Sequence, residues 1–276
     1  MATKNVPPRL FGILAREAKT AVLFRRGPSK WCQMILWHTD TDEIVRGQWV
    51  HHRIYERDCD LSPDGKLVVY HAFDGRKKDP GMWSGFTAVS RPPYFTALAI
   101  WKYHLPGGGG LFTANRDLLV FSNSPLTIEP PLHRSTRMSI VDGPAERLRQ
   151  SGWECVKNLQ EGIYSVERLW EKKHRRSKSV LVMRNTFGYI TRTPGQGTKS
   201  DDFWIRRQVD GAETPLNNVD WADIDHKQRL IFTRQGQLYA AEILPDGLRE
   251  TQLADFSEDQ PTELPPPAWA KQWPKR

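Results

Sequence analysis

The chain has little cysteine and no long apolar run. Its 276 residues include three cysteines, Cys32, Cys59 and Cys155, which cannot all pair, and none forms a Cys-x-x-Cys spacing. That usage favours a reducing, cytoplasmic setting over a disulfide-stapled, secreted one. No window reaches 18 consecutive apolar residues, so no membrane span is expected. The stretch from Met1 to Pro8 lacks the apolar core of a secretory signal. Signatures of familiar chemistries are missing as well. There is no H-E-x-x-H and no G-x-S-x-G, and the glycine run Gly107 to Gly110 leads into Leu111-Phe112-Thr113, not the Gly-Lys-Ser/Thr of a phosphate-binding loop. That run reads as a flexible connection. No metal, no cofactor and no catalytic residue is expected. A Ser/His/Asp triad needs no closeness in sequence, and nothing here singles one out.

Aromatic residues are plentiful: 11 Trp, 7 Tyr and 11 Phe, enough for a packed core between sheets. The most informative stretch is Cys59-Asp60-Leu61-Ser62-Pro63-Asp64-Gly65-Lys66-Leu67-Val68-Val69-Tyr70, a strand, a tight turn and a second strand. Pro63 presets its backbone angle, Asp64 and Gly65 suit the end of a type I turn, and Leu67 to Tyr70 is apolar and β-branched. A degraded copy runs from Asp223 to Thr233 and aligns without gaps, Asp223 on Asp60 and Leu230 on Leu67. The offset equals four steps of about 41 residues, inside the period of propeller blades. A third hairpin is read over Leu111 to Phe121. The Ser62-Pro63-Asp64-Gly65 turn resembles the repeat of TolB-type and WD-repeat β-propellers, and the block from Gly47 to Gly65 resembles a group of uncharacterised bacterial proteins. The resemblance implies an all-β propeller whose faces bind proteins or peptides, and in some members nucleic acid or a hydrolytic or lyase site.

Blade by blade, Arg9 to Ala15, Thr20 to Arg25, Trp31 to His38 and Ile44 to Trp49 form the first. The second runs from about Tyr55 to Tyr103, with Pro92-Pro93 as a connection. The third follows the glycine run. The fourth takes Trp153 to Asn158, Gly162 to Trp170 and Val180 to Arg184 after a short helical turn from Pro144 to Gln150. The fifth takes Phe203 to Gln208, Trp221 to Ile224, Arg229 to Thr233 and Gln237 to Ile243. The expected fold is a β-propeller of five, or six, four-stranded blades over residues 1–256, closed by Arg9 to Ala15 with Glu250 to Phe256. An extended Pro-rich tail follows over 257–276, lying on the body.

The net charge of +8 is uneven: +6 over residues 151–200 and −5 over 201–276. Two clusters follow from the residues. His51 and His52, with Glu56, Asp58 and Asp60, gather acid–base and metal-ligating groups. In an extended chain the carboxylates would share one side, opposite Cys59 and Leu61, and a buried Arg57 would need a carboxylate partner. This region reads either as a polar connection between strands or as a site, and an enzyme centred on 51–60 is one alternative function. The second cluster, Lys172, Lys173, Arg175, Arg176 and Lys178, follows Trp153, Tyr164 and Trp170. It reads either as a solvated hairpin tip or as a track for a phosphate backbone with aromatics to stack bases, and nucleic acid is the alternative partner. The function expected first is a non-catalytic interaction module, a scaffold within a larger bacterial assembly. Its partner protein would be bound through Trp49, Arg53, Tyr55, Arg57 and Arg91.

Overall fold

The computed structural model describes residues 6–27, 30–73, 85–103, 108–121, 131–132, 142–161, 165–188, 199–245 and 247–275. The chain divides into two compact units, Met1–Arg147 with Phe256–Arg276, and Leu148–Asp255.

The first unit opens with a four-stranded antiparallel meander of β1 (Arg9–Leu14), β2 (Thr20–Arg26), β3 (Cys32–His38) and β4 (Glu43–Val50). The middle strands are continuous apolar runs buried on both faces, as in Val22, Leu23 and Phe24 or Met34 and Ile35, whereas β4 is mostly half-buried. A second sheet orders β5 (Arg53–Ile54), β7 (Val68–Phe73), β8 (Gly85–Ser90) and β9 (Ala97–Tyr103), and β6 (Asp60–Leu61) also pairs with β7. A short pair, β10 (Gly110–Phe112) and β11 (Leu118–Val120), follows. Helix α1 (Asp142–Gln150) forms where a helical turn was read.

The second unit holds a five-stranded meander of β12 (Glu154–Glu161), β13 (Ser165–His174), β14 (Ser179–Gly188), β15 (Lys199–Arg207) and β16 (Glu213–Pro215). A four-stranded meander follows, of β17 (Trp221–Ile224), β18 (Leu230–Arg234), β19 (Gln237–Leu244) and β20 (Gly247–Asp255). Strand β20 is an edge strand and carries Arg249, Glu250 and Thr251 toward water.

The fold is therefore all-β and made of blade-like sheets, and the strands of the first two blades lie close to where they were read. The count is corrected: four sheets of blade size and one two-stranded pair are described, not five or six blades. Phe203 to Gln208 does not open a fifth blade. Phe203 pairs with Met183 and Ile205 with Leu181, so the segment joins the preceding sheet, because its alternating buried residues complete the face begun by β14. Strand β1 pairs with β2, and Gly247–Asp255 pairs with β19 as an outer strand. Residues 74–81 and 193–198, and Pro125 and Pro130, lie outside the described residues.

The repeat hairpins explain why these sheets form. Gly65 N–H donates to Ser62 O at 2.8 Å, with Gly65 at a φ of +71°. Ser62 Oγ donates to Asp64 Oδ1 at 2.7 Å and accepts from Leu67 N–H at 2.9 Å. In the second copy Gln228, at φ +59°, takes the place of Gly65, and its N–H donates to Asp225 O at 2.9 Å. The second hairpin is tighter by one residue: Ser62 N–H reaches Leu67 O, whereas Asp225 N–H reaches Arg229 O. Asp225 also ion-pairs with Arg229 at 2.7 Å, which supplies locally what the Ser-Pro-Asp-Gly residues supply in the first copy.

Candidate functional site

Two places gather charged side chains, one in each unit. In the first unit, Asp58 and His71 are enclosed, Asp58 Oδ2 lying 3.5 Å from His71 Nδ1. Tyr55 stacks on the His71 ring at 4.7 Å, and Arg53 lies over Tyr55 at 5.0 Å. The expected alternation of faces over 51–60 does not occur. Glu56–Asp58 is a turn of 3-10 helix, and this rotates Asp58, Cys59 and Asp60 inward together. Asp60, 1 % exposed, accepts from Arg16 Nη1 at 3.2 Å and from Phe112 N–H at 2.8 Å, while Arg16 also donates to Phe112 O. Burial raises the Asp60 pKa above the usual carboxylate range, and Arg16 and Arg147 pull it back part of the way. These bonds tie the β1–β2 loop, β6 and β10 together. Arg57 finds the carboxylate it was read to need in Glu56, at 3.4 Å, and lies over the Phe11 ring. Cys59 is fully buried with its thiol pKa pushed up by burial, so it packs as an apolar group.

The glycine run is not a loose connection where it is described. Gly109 and Gly110 are buried. Gly109 has φ +96°, and a Cβ there would stand 1.9 Å from Asp58 O. The missing side chain permits a backbone-to-backbone approach that the sequence left unmarked.

Among the residues read as a partner surface, Arg91 and Trp49 make contacts within the unit. Arg91 donates to Trp269 O at 2.8 Å and covers the Trp269 ring, and Arg25 covers Trp49 at 5.1 Å. Sequence reasoning did not single out Arg25, Gln48 and Arg116. Their donors go to backbone carbonyls of the 256–275 segment, which no spacing rule could announce.

In the second unit, the basic run sits at the end of the β13–β14 hairpin, whose ten pairs run in unbroken register from Ser165–Gly188 to His174–Ser179. The tip is fixed from inside. His174 is buried, its Nε2 bonded to Gln228 O at 2.7 Å and its Nδ1 to Ser177 at 2.8 Å, and Arg175 N–H donates to Gln228 Oε1 at 3.2 Å. Lys172 differs from its neighbours: its Nζ meets the buried Asp223 at 2.6 Å. Asp223 is the counterpart of Asp60, and each repeat aspartate is thus buried against a cation from an earlier strand or loop. Lys173, Arg175, Arg176 and Lys178 are exposed, and among the described residues none has a carboxylate partner. The contrast lies within the unit, where Arg184, Arg206, Arg207, Arg229, Arg234 and Arg249 are each paired with an acid. The aromatics read beside the run are not a stacking platform: Trp153 and Trp170 are buried, beneath Lys172 and Arg149. Tyr164 lies outside the described residues.

No helix of the described residues is long and apolar enough to cross a membrane, and among them no group of three or more His, Cys, Asp or Glu could hold a metal ion.

No protein-family model matches the sequence, and no curated protein matches it. Solved structures that resemble it include the acylaminoacyl peptidase of Pyrococcus horikoshii, 13 % identical with a TM-score of 0.36, covering 90 % of this chain and 45 % of that one. A mutant of the GH43 protein BlXynB from Bacillus licheniformis is 9 % identical with a TM-score of 0.39, covering 92 % and 57 %. The β-propeller domain of the Trilobed protease from Pyrococcus furiosus is 12 % identical with a TM-score of 0.29, covering 92 % and 100 %. The chain spans about half the length of the first two. These neighbours overturn the expectation of a non-catalytic scaffold. They include a peptidase, a GH43 protein and part of a protease.

Proposed function

We propose that the protein binds nucleic acid through the phosphate backbone, using the β13–β14 hairpin tip. The observation that carries this reading is the set of four exposed cations, Lys173, Arg175, Arg176 and Lys178, left without carboxylate partners in a unit whose other arginines are mostly paired. Paired cations have already given up most of their attraction for a phosphate, whereas unpaired ones release condensed counterions from it on contact. The tip is braced by His174 and Gln228, so less ordering entropy is lost on binding. Because Trp153 and Trp170 are buried, binding is sequence-tolerant and relies on charge. That the sheets are blades of a TolB- or WD-type propeller belongs to the same reading, supported by the Ser62 to Gly65 turn and its counterpart at Asp225 to Gln228.

The test is fluorescence anisotropy with labelled single-stranded and duplex oligonucleotides across a salt series. Four phosphate contacts give a slope of log K against log salt of about −3 to −4 on duplex DNA. Replacing Lys173, Arg175, Arg176 and Lys178 together by alanine should abolish binding while leaving the circular dichroism spectrum unchanged. Binding that survives this replacement, or shows no salt dependence, sinks the proposal.

A further inference from the structure

The segment from Ser257 to Lys275 belongs to no sheet, yet it is held on the first unit along its length. The polar contacts that fix it come mainly from body side chains and go to its backbone carbonyls. Arg25 Nη2 donates to Ser257 O at 3.1 Å, Gln48 Nε2 to Leu264 O at 2.8 Å, Arg91 Nη1 to Trp269 O at 2.8 Å, and Arg116 to Pro274 O. One ion pair, Arg46 with Asp259 at 2.9 Å, is added near its start. Between these tethers residues 260–265 are exposed. The apolar anchors then come close together. Trp269, still 44 % exposed, sits edge-on to Tyr94 at 5.3 Å under the Arg91 guanidinium, Ala270 is fully buried, and Trp273 packs on the cluster of Leu67, Val69, Val89 and Phe112.

This is the contact pattern of a docked peptide: donors aimed at main-chain acceptors for affinity, and apolar seats for Ala270 and Trp273 for specificity. A strand integral to the fold would instead share its hydrogen bonds with a ladder. The connection to the anchors carries Pro261 and Pro265-Pro266-Pro267, a semi-rigid spacer that stays extended on release and so keeps the freed anchors from falling straight back. A second copy carries an identical segment, and exchange of an identical element is a low-cost route to a dimer.

We infer that the surface built by Arg91, Tyr94, Arg116 and the Leu67–Phe112 cluster is a peptide-recognition site, filled by the chain's own residues 269–274 and able to take the same residues from a second copy. The probe is a fluorescein-labelled peptide of residues 260–275, titrated into the full chain and into the full chain carrying Trp269→Ala and Trp273→Ala, which weaken its own plug. The weakened chain should bind the peptide at least tenfold more tightly than the unaltered one, and adding Arg91→Ala should abolish that binding. Native mass spectrometry of concentrated, mixed heavy and light copies of the unaltered chain should show mixed dimers. A weakened chain that is folded by circular dichroism and does not bind the peptide overturns the inference. Should that chain fail to fold, hydrogen exchange on the unaltered protein decides. Amides of Ala270 and Gln272 exchanging at least a hundredfold faster than those of Val69 and Val89 support an exchangeable plug, and equal protection overturns it.

Discussion

Asp60 shows how a repeat residue acts through its partners. It is an enclosed carboxylate that costs free energy to desolvate, and the Arg16 guanidinium and Phe112 N–H offset that cost. Replacing it with alanine removes the carboxylate that Arg16 Nη1 and Phe112 N–H donate to, and the loss should be about 3 kcal/mol in urea unfolding. The double variant Arg16→Met with Asp60→Ala should lose less than the sum of the single losses. The pH dependence has a definite sign. Because the folded-state pKa is raised, the unfolded chain gives up this proton at lower pH than the native protein. The contribution of Asp60 to stability is then fully present below the ordinary aspartate pKa of about 4 and declines as pH rises through the raised value. In Asp60→Asn that decline should vanish from the stability–pH curve. An unchanged curve would show that Asp60 is not the group responsible.

At the scale of the element, the close approaches matter more than the strands themselves. Gly109 and Gly211 both have positive φ, yet a Cβ at Gly109 meets Asp58 O at 1.9 Å while one at Gly211 meets nothing within 4 Å. Gly109→Ala should therefore cost about 3 kcal/mol or more, combining backbone strain with a clash against main chain. Gly211→Ala should cost about 1 kcal/mol, the strain alone. Chemical denaturation of the two variants checks the order, and equal losses would mean that the loop around Gly109 yields easily. The β13–β14 hairpin teaches the complementary lesson. Its strands are legible as alternating residues, but only the partner at Asp223 separates Lys172 from the four cations that stay exposed.

At the scale of the whole molecule, the chain returns after β20 to the unit it began with, so residues distant in sequence depend on each other. Arg25 is buried, its pKa lowered by that burial, and its acceptors are the carbonyls of Phe256 and Ser257. Shortening the chain to residues 1–258 removes the burial of Ala270 and Trp273 and the acceptors of Gln48, Arg91 and Arg116. The expected cost is about 3 kcal/mol, or roughly 10 °C in Tm, read by calorimetry. A shortened chain with unaltered Tm would show that the segment rests on the unit without stabilising it.

The sequence by itself determined the local pieces, namely apolar β-branched runs, polar edge strands and the Ser62-Pro63-Asp64-Gly65 turn, because period-two alternation and turn chemistry act over a few residues. It also marked the basic run as a candidate. Tertiary structure decided what those pieces join. The membership of Phe203 to Arg207 in the sheet of β14 is a matter of long-range pairing that local pattern does not encode. The 3-10 turn at Glu56–Asp58 broke the expected strand faces, since packing against Gly109 outweighs local alternation. The fate of each charge was decided last and at longest range, because whether a lysine is neutralised or left to meet a phosphate depends on which carboxylate the fold brings within 3 Å of it.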